Sequence, residues 1–217
     1  MFDYVLTDIE GTTSPIHFVK NVLFPYAKER MYDFLVEHRG EPEVARCVDE
    51  VHAGAPLEVV VDILHRWTDE DVKAPPLKKL QGLIWAQGYE SGALVTPLYP
   101  DVPPALERWS AEGKRVGVYS SGSVQAQKMF YRYTEYGDLS HRFSHFFDTE
   151  VGHKRQTDSY RRILQALSLP PDKVMFLSDV PEELMAAQAV GIKVGHIVRD
   201  GVQPSPLFRP IYSFASI

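Results

Sequence analysis

The feature that most constrains the fold is the alternation of apolar strand-like runs with segments of helical spacing. Alternation of this kind predicts parallel βαβ units with right-handed crossovers. We therefore expect an α/β fold with a doubly wound parallel sheet. The predicted strands are Phe2 to Thr7, Val116 to Tyr119, Val174 to Leu177 and Val194 to Val198. The predicted helices are Asp101 to Glu112, Val124 to Tyr133, Asp158 to Leu167 and Glu182 to Ala189, with Asp101 and Ser123 as caps.

A block of helical spacing interrupts this alternation after the first strand. Its segments are Val22 to His38, Glu43 to His52, Leu57 to Trp67 and Leu77 to Tyr89. We predict an α/β core domain formed by residues 1–15 and 96–217, and an all-helical cap domain formed by residues 16–95. The proline-containing segment from Gly201 to Ile217 is compatible with a loop and a final edge strand.

Composition excludes several classes of partner. Twenty-three basic and 29 acidic residues give a net charge of −6, and no basic run predicts binding to nucleic acid or to a membrane surface. Cys47 is the only cysteine, so no intrachain disulfide is expected. Neither a signal peptide nor a membrane span is predicted. We expect a cytoplasmic monomer that binds a small molecule.

Oxygen-bearing side chains follow three of the predicted strands. Asp8 and Glu10 follow the first, Ser120 and Ser121 the second, and Asp179 the Val174 to Leu177 strand. Ligands of open parallel sheets bind at the carboxyl ends of the strands, so we expect these side chains to lie together. Asp8 and Glu10 are two residues apart, which places both carboxylates on one side if the strand geometry continues.

Two acids at such a site suggest phosphoryl transfer. The Asp8 carboxylate can attack phosphorus to form an aspartyl-phosphate. Glu10 can protonate the leaving oxygen and then activate water. Because two anions repel a phosphate, a hard cation is needed, and we expect one Mg²⁺ surrounded by Asp8, Glu10 and Asp179. Ser120 and the N-terminus of the following helix can hold phosphate oxygens, and Lys154 can neutralise both anions.

Each of these residues also has an ordinary structural explanation. An isolated Asp8 is typical of a turn, and an isolated Lys154 is typical of a surface, so only their order and combination favour catalysis. His141 and His145 have a spacing that can bind zinc on a helix, but the phenylalanines around them favour packing. Trp85 and Tyr89 are predicted to pack in the core of the helical insertion.

The motifs resemble those of the haloacid dehalogenase superfamily, and more narrowly those of its enolase-phosphatase family in methionine salvage. The likeness runs from Asp8 past Gly195, and the insertion around Leu80 to Tyr89 is similar to that family's cap. Most superfamily phosphatases carry Asp where this chain has Glu10, whereas enolase-phosphatases carry Glu. The matching segments are Asp8-Ile9-Glu10-Gly11-Thr12-Thr13, Val118-Tyr119-Ser120-Ser121-Gly122-Ser123, Lys154 and Phe176-Leu177-Ser178-Asp179-Val180-Pro181-Glu182-Glu183.

The resemblance implies a role for each matched residue. Asp8 would be the nucleophile and a magnesium ligand, and Asp179 a second ligand. Glu10 would supply a backbone carbonyl to the metal and the acid/base side chain. Ser120 and Ser121 would bind the substrate phosphate.

The resemblance also implies that Lys154 pairs with the phosphate and the nucleophile, and that Glu183 orients metal-bound waters. The family's substrate is 2,3-diketo-5-methylthiopentyl-1-phosphate, which is enolised and then dephosphorylated. We take Glu10 as the base for the carbon-bound proton. The cap would act as a lid, with Phe18, Trp85 and Tyr89 as candidates to contact the methylthio end.

Four alternatives remain open at this point. A magnesium-dependent phosphatase of the same superfamily acting on another small phosphate ester would share every motif except the cap. A haloacid dehalogenase would need neither a metal nor a second acid. A phosphoacceptor signalling module would not need a helical lid and would turn over slowly. A ligand-binding α/β domain would have no catalysis.

Overall fold

The structure is a computed structural model that describes residues 2–217. Contacts divide the chain into two compact units, each with its own core. One consists of the chain up to Phe18 together with Val95–Ile217, and the other of Val19–Leu94. These divisions fall close to the predicted domain boundaries at residues 15 and 96.

The unit Val19–Leu94 is entirely helical within the described residues. A π-helical turn, Val19–Leu23, leads into the first α-helix, and the second and fourth helices each have proline in their first turn, where a missing N–H costs no helical hydrogen bond. Its buried core includes Met31, Leu35 and Leu64. The helices are α1 (Phe24–His38), α2 (Pro42–His52), α3 (Leu57–Asp69) and α4 (Pro75–Glu90).

Trp85 packs against this helical core, as predicted, whereas the packing of Tyr89 in it stays a prediction. Tyr89 is buried, and Trp85 donates a hydrogen bond of 2.8 Å from Nε1 to the carbonyl of Leu23 and stacks on Phe24. Phe18, in the other unit, is also buried and packs against Phe130. A contact of Phe18, Trp85 or Tyr89 with the substrate stays a prediction.

The α/β unit has a parallel sheet of six strands among the described residues, in the order β3-β2-β1-β4-β5-β6. β1 therefore lies in the middle, between β2 and β4. The strands are β1 (Tyr4–Thr7), β2 (Arg115–Tyr119), β3 (His145–Phe147), β4 (Val174–Ser178), β5 (Lys193–Ile197) and β6 (Pro210–Ile211). The helices are α5 (Val102–Ala111), α6 (Val124–Arg132), α7 (Thr157–Leu167) and α8 (Pro181–Gln188).

One face of the sheet forms a buried hydrophobic core. Tyr4 and Leu6 are two apart on β1 and share a face, where they cluster with Tyr160 of α7 and Leu184 of α8. The doubly wound α/β prediction is confirmed. No helix among residues 2–217 is long and apolar enough to cross a membrane.

Two local predictions were incomplete. The short strand β3 was not predicted, because three residues are too few to show a period of two. His141 lies in a 3₁₀ turn, Ser140–Arg142, whereas His145 begins β3, so the two histidines do not share a helix. The ring of His145 instead contacts the Tyr4 hydroxyl at 3.1 Å.

Of the two predicted helix caps, Ser123 is confirmed and Asp101 is not. Ser123 caps α6 as predicted, since its hydroxyl accepts a hydrogen bond of 3.2 Å from the backbone N–H of Ala126. Asp101 occupies the N-cap position of α5, but within the described residues its side chain makes no capping hydrogen bond. Its carboxylate faces Arg199 instead, at 2.9 Å, because a buried guanidinium competes successfully for it.

We expect Gly117→Ala to destabilise the α/β unit. A Cβ at Gly117 would lie 2.0 Å from the Tyr4 hydroxyl and 3.2 Å from the carbonyl of His145. Overpacking of this kind costs roughly 1–3 kcal/mol, measurable as free energy of unfolding in urea. Gly82→Ala is the control, because a Cβ there meets nothing within 4 Å and should leave stability equal or higher. Equal stability of both variants would contradict the packing described for Gly117.

Candidate active site

Asp8 follows directly after the central strand and precedes a tight turn. Its N–H donates to the carbonyl of Leu177 on β4 at 2.9 Å, which continues the pairing of β1 by one residue. The backbone N–H groups of Thr13 and Ser14 then both donate to the carbonyl of Ile9, at 2.9 and 3.0 Å. The turn holds Asp8 buried at the middle of the carboxyl edge of the sheet.

A buried lysine contacts the Asp8 carboxylate. Lys154 Nζ lies 2.7 Å from Asp8 Oδ1 and 2.7 Å from Glu183 Oε2. Oδ1 of Asp8 also accepts a hydrogen bond of 2.7 Å from the Ile9 N–H. Ser178 donates from its hydroxyl to Glu183 Oε2 at 3.0 Å. These contacts join residues from the ends of β1 and β4, the first turn of α8 and the loop before α7.

The loop before α7 is fixed by tyrosines that bind its carbonyl groups. Tyr160 of α7 donates to the carbonyl of Lys154 at 2.7 Å, and Tyr119 of β2 donates to the carbonyl of Gly152 at 2.9 Å. The ammonium of Lys154 also lies 5.8 Å from the centre of the Tyr119 ring, within range of a cation–π interaction. The position of Lys154 is therefore set by the sheet and by α7.

The charges of this cluster shift its pKa values. Burial alone lowers the pKa of Lys154, but the charges of Asp8 and Glu183 outweigh it and hold that pKa above its ordinary value. Burial, followed by the negative charge of Asp8, raises the pKa of Glu183. Both pKa values are raised because the cluster has two carboxylates and one ammonium, and its excess negative charge favours binding of a proton.

Asp179 follows β4 and faces the same edge of the sheet. Burial, and next the negative charge of Asp8, raise its pKa to about 7. Gly11 packs against it, since a Cβ at Gly11 would lie 2.4 Å from Asp179 Oδ2, and Gly11 has φ of +69°. Only glycine combines this backbone conformation with so close an approach.

The donor set of this edge fits a hard cation. Asp179 Oδ1 is buried and has no hydrogen-bond partner within residues 2–217, and it stands near the anionic Asp8. A cation would reduce the repulsion between Asp8 and Asp179 and would give Asp179 Oδ1 a partner. Oxygen ligands with room for water are those that Mg²⁺ prefers, and Asp8 and Asp179 are the carboxylates that would hold it.

Asp8, Glu10 and Asp179 as the ligands of the cation stay a prediction, and three carboxylate side chains do not supply them together. Among residues 2–217, no group of three or more His, Cys, Asp or Glu side chains could hold a metal ion. β1 ends at Thr7, so Glu10 lies in the turn, where it pairs with Ser14, and strand alternation does not set the direction of its side chain. A backbone oxygen of Glu10 as ligand stays a prediction.

Ser120 and Ser121 lie in the turn between β2 and α6, beside the central strand. Ser120 is buried, its N–H donates to the Phe147 carbonyl at 3.1 Å, and its hydroxyl accepts a hydrogen bond of 3.3 Å from the Gly122 N–H. Ser121 is half-buried. Their place at the N-terminus of α6 is one where hydroxyl and N–H groups can bind phosphate oxygens.

Sequence reasoning missed two contributions to the site. Thr13 Oγ1 lies 2.7 Å from the hydroxyl of the fully buried Tyr131 and 3.4 Å from the Asp8 carbonyl, so a side chain of α6 supports the turn. The contact of Glu183 with Lys154 was also missed, because the predicted role of Glu183 was to orient metal-bound waters. The only sequence signal for the turn was its cluster of turn-forming residues around Gly11.

The parallel sheet, the buried lysine and the acids at the strand ends fit a hydrolase with an α/β core that transfers phosphoryl groups. The chain belongs to the haloacid dehalogenase-like hydrolase family, whose profile matches residues 2–191.

Full-length relatives narrow this class. The protein named Enolase-phosphatase E1 of Aquifex aeolicus (strain VF5) is 45% identical over 221 residues, covering 100% of this chain and 99% of the relative. That of Stenotrophomonas maltophilia (strain R551-3) is 49% identical over 206 residues, covering 93% and 89%. The UTR4 protein from Saccharomyces cerevisiae is 35% identical, with a TM-score of 0.86 over 100% of both chains. CbbY from Rhodobacter sphaeroides, at 19% identity and a TM-score of 0.62, shares the fold.

We expect Asp179→Asn to remove a pH-dependent loss of stability in metal-free protein. The folded-state pKa of about 7 lies above the ordinary 3.8, so the folded state binds this proton more tightly than the unfolded state. The stability contributed by the protonated form is complete below about pH 4 and is lost as pH rises through about 7. As pH rises from about 4 to about 7, the stability of Asp179→Asn should therefore increase relative to that of the parent protein. The measurement is the free energy of unfolding in urea with a chelator.

Magnesium provides the control for this prediction. At about pH 8, Mg²⁺ should raise the unfolding temperature of the parent by binding the folded state, and should do so much less for Asp179→Asn. A stability difference between the two proteins that does not change with pH would contradict the assignment.

Proposed function

We propose that this chain is an enolase-phosphatase. It would enolise 2,3-diketo-5-methylthiopentyl-1-phosphate and transfer its phosphoryl group through Asp8, giving the aci-reductone 1,2-dihydroxy-3-keto-5-methylthiopentene and phosphate. The observation that carries this proposal is the buried Lys154, 2.7 Å from both Asp8 and Glu183. The full-length likeness to proteins named Enolase-phosphatase E1 supports this substrate class.

Asp8 is the proposed nucleophile. Within residues 2–217, the ammonium of Lys154 and the N–H of Ile9 both bind its Oδ1, which leaves Oδ2 to attack phosphorus. Lys154 would offset the negative charge that the phosphate brings into a buried site. Ser120 and Ser121 would bind the phosphate oxygens that do not react.

Glu10 is the proposed acid and base. It lies two residues after the nucleophile in a turn whose backbone is fixed, and it is half-buried, so its carboxyl can exchange protons with a substrate. In phosphoryl transfer it would protonate the leaving oxygen and then take a proton from the hydrolytic water. In enolisation it would take the carbon-bound proton next to the carbonyl.

A magnesium ion held by Asp8, Asp179 and the Glu10 carbonyl would polarise a substrate oxygen and neutralise the phosphate. Gly11 allows the backbone of the turn to approach Asp179 closely enough to form such a site. We assign the helical unit Val19–Leu94 the role of the cap domain that the resemblance implies.

The direct test supplies the diketone phosphate with Mg²⁺ and follows the ultraviolet absorbance of the enediol together with free phosphate. We expect both signals from the parent protein. Phosphate release without an enediol signal, or equally fast release from unrelated sugar phosphates, would favour a general phosphatase. A single turnover followed by a stable aspartyl-phosphate would favour a phosphoacceptor module.

Glu10→Gln tests the role of Glu10 in enolisation. We expect it to block enolisation, so the diketone should persist and no enediol or enol phosphate should form, with a loss of activity of about a hundredfold or more. Glu182→Gln is the matched control, since Glu182 is exposed and should keep parental rates. Accumulation of the enol phosphate by Glu10→Gln would show that another group removes the carbon-bound proton.

A further inference from the structure

Arg199 joins three segments of the α/β unit that are distant in sequence. Nη1 lies 2.9 Å from Asp101 Oδ2 and donates to the Tyr212 carbonyl at 3.0 Å. Nη2 makes a long contact of 3.5 Å with the carbonyl of Thr12. The Arg199 side chain is 9% exposed and is thus largely shielded from water, although its partner Tyr212 is exposed. One guanidinium thus touches the start of α5, the C-terminal segment and the turn after Asp8.

Two aromatic rings flank this guanidinium. The centre of the Tyr99 ring lies 4.5 Å from Arg199 Cζ, and that of Phe214 lies 5.1 Å away. Tyr99 is fixed at both ends, because its hydroxyl donates to Asp200 Oδ2 at 2.5 Å and its N–H donates to the Thr13 carbonyl at 3.0 Å. Arg199 therefore reaches the turn directly at Thr12 and indirectly through Tyr99 at Thr13.

Asp101 ties the C-terminal segment to the same guanidinium. Besides Arg199, its Oδ2 accepts hydrogen bonds from the Ser213 hydroxyl at 2.9 Å and from the Phe214 N–H at 2.7 Å. Burial raises the pKa of Asp101, but these donors outweigh it and hold that pKa below its ordinary value. Asp101 is therefore a carboxylate at neutral pH, and its charge is matched by Arg199.

The turn that receives these contacts carries the proposed chemistry. Thr13 Oγ1 contacts the carbonyl of Asp8, and Gly11 packs its backbone against Asp179. A shift of Thr12 and Thr13 would move both the nucleophile and the opposite acid. Displacement of a reacting group by about 1 Å can cost about a hundredfold in rate.

We propose that Arg199, held by Asp101 and by the C-terminal segment Pro210–Ser216, is a positioning residue that fixes the turn Gly11–Thr13 and thereby aims Asp8 at the substrate phosphorus. This inference rests on the proposed function. It gives the C-terminal segment a part in catalysis, although none of its residues needs to touch the substrate. An ion pair suits this task better than apolar packing, because its hydrogen bonds are directional.

The test compares Arg199→Met with Arg199→Lys in kcat and KM at saturating Mg²⁺. Substrate binding depends on groups that Arg199 does not touch, so we expect Arg199→Met to lower kcat about tenfold to a hundredfold and to change KM less than about threefold. Arg199→Lys keeps the charge but not the planar fork, so its kcat should lie in between. For Arg199→Ala, millimolar guanidinium chloride should restore part of kcat.

Arg108→Met is the matched control. Arg108 donates to the carbonyls of Phe214 and Ile217, at 2.7 and 2.9 Å, so it holds the same C-terminal segment from α5 without a described contact to the turn. Because Arg199 keeps its ion pair with Asp101 in this variant, we expect a lower unfolding temperature and a kcat that falls much less than in Arg199→Met. This difference separates positioning from a general loss of stability.

A kcat of Arg199→Met within about twofold of the parent would overturn the inference, as would an equal loss of kcat in Arg108→Met. If Arg199→Met does not fold, Asp101→Asn takes its place with the same expected pattern, and an unchanged kcat would again overturn the inference. Asp8→Asn separates the two levels: if it keeps phosphate release, the proposed function fails. If Asp8→Asn is inactive while Arg199→Met is normal, only the positioning role fails.

Discussion

The site depends on the ion pairs that the buried ammonium of Lys154 makes with the carboxylates of Asp8 and Glu183. Three charged groups lie out of water there, and removing Lys154 would leave two buried carboxylates without a counter-charge, which costs several kcal/mol. The fold must therefore place all three accurately. It does so because Asp8 and Glu183 follow neighbouring strands and because Tyr160 holds the carbonyl of Lys154. An excess of one carboxylate leaves the cluster ready to accept a cation or a proton.

The remaining parts of the α/β unit serve this arrangement from two sides. On one side, Tyr131 of α6 supports the turn, because its hydroxyl contacts Thr13 Oγ1. On the other, the ion pair of Arg199 with Asp101 connects that turn to the C-terminal segment. Directional polar contacts at buried positions are what allow a short turn to keep one geometry. The site is thus built from the sheet edge and from chain segments that lie far apart in sequence.

How much of this could be predicted from sequence depends on the range of each interaction. The strands before Asp8 and Asp179 were predictable, because apolar runs ending in turn formers are local signals, and their convergence follows from the parallel sheet. The direction of Glu10 was not, since the strand ends before it and the turn overrides alternation. Nor was the pairing of Arg199 with Asp101, which joins residues 98 positions apart and leaves no local pattern.

The central claim, that Asp8 carries the phosphoryl group, is tested most directly by trapping the enzyme in turnover. Protein quenched in acid with the diketone phosphate and Mg²⁺, reduced with borohydride and digested, should yield a peptide in which the Asp8 side chain has become that of homoserine, as an aspartyl-phosphate requires. The same treatment without substrate should leave Asp8 unmodified. Rapid phosphate release with no modified Asp8, or with modification at another carboxylate, would contradict the account.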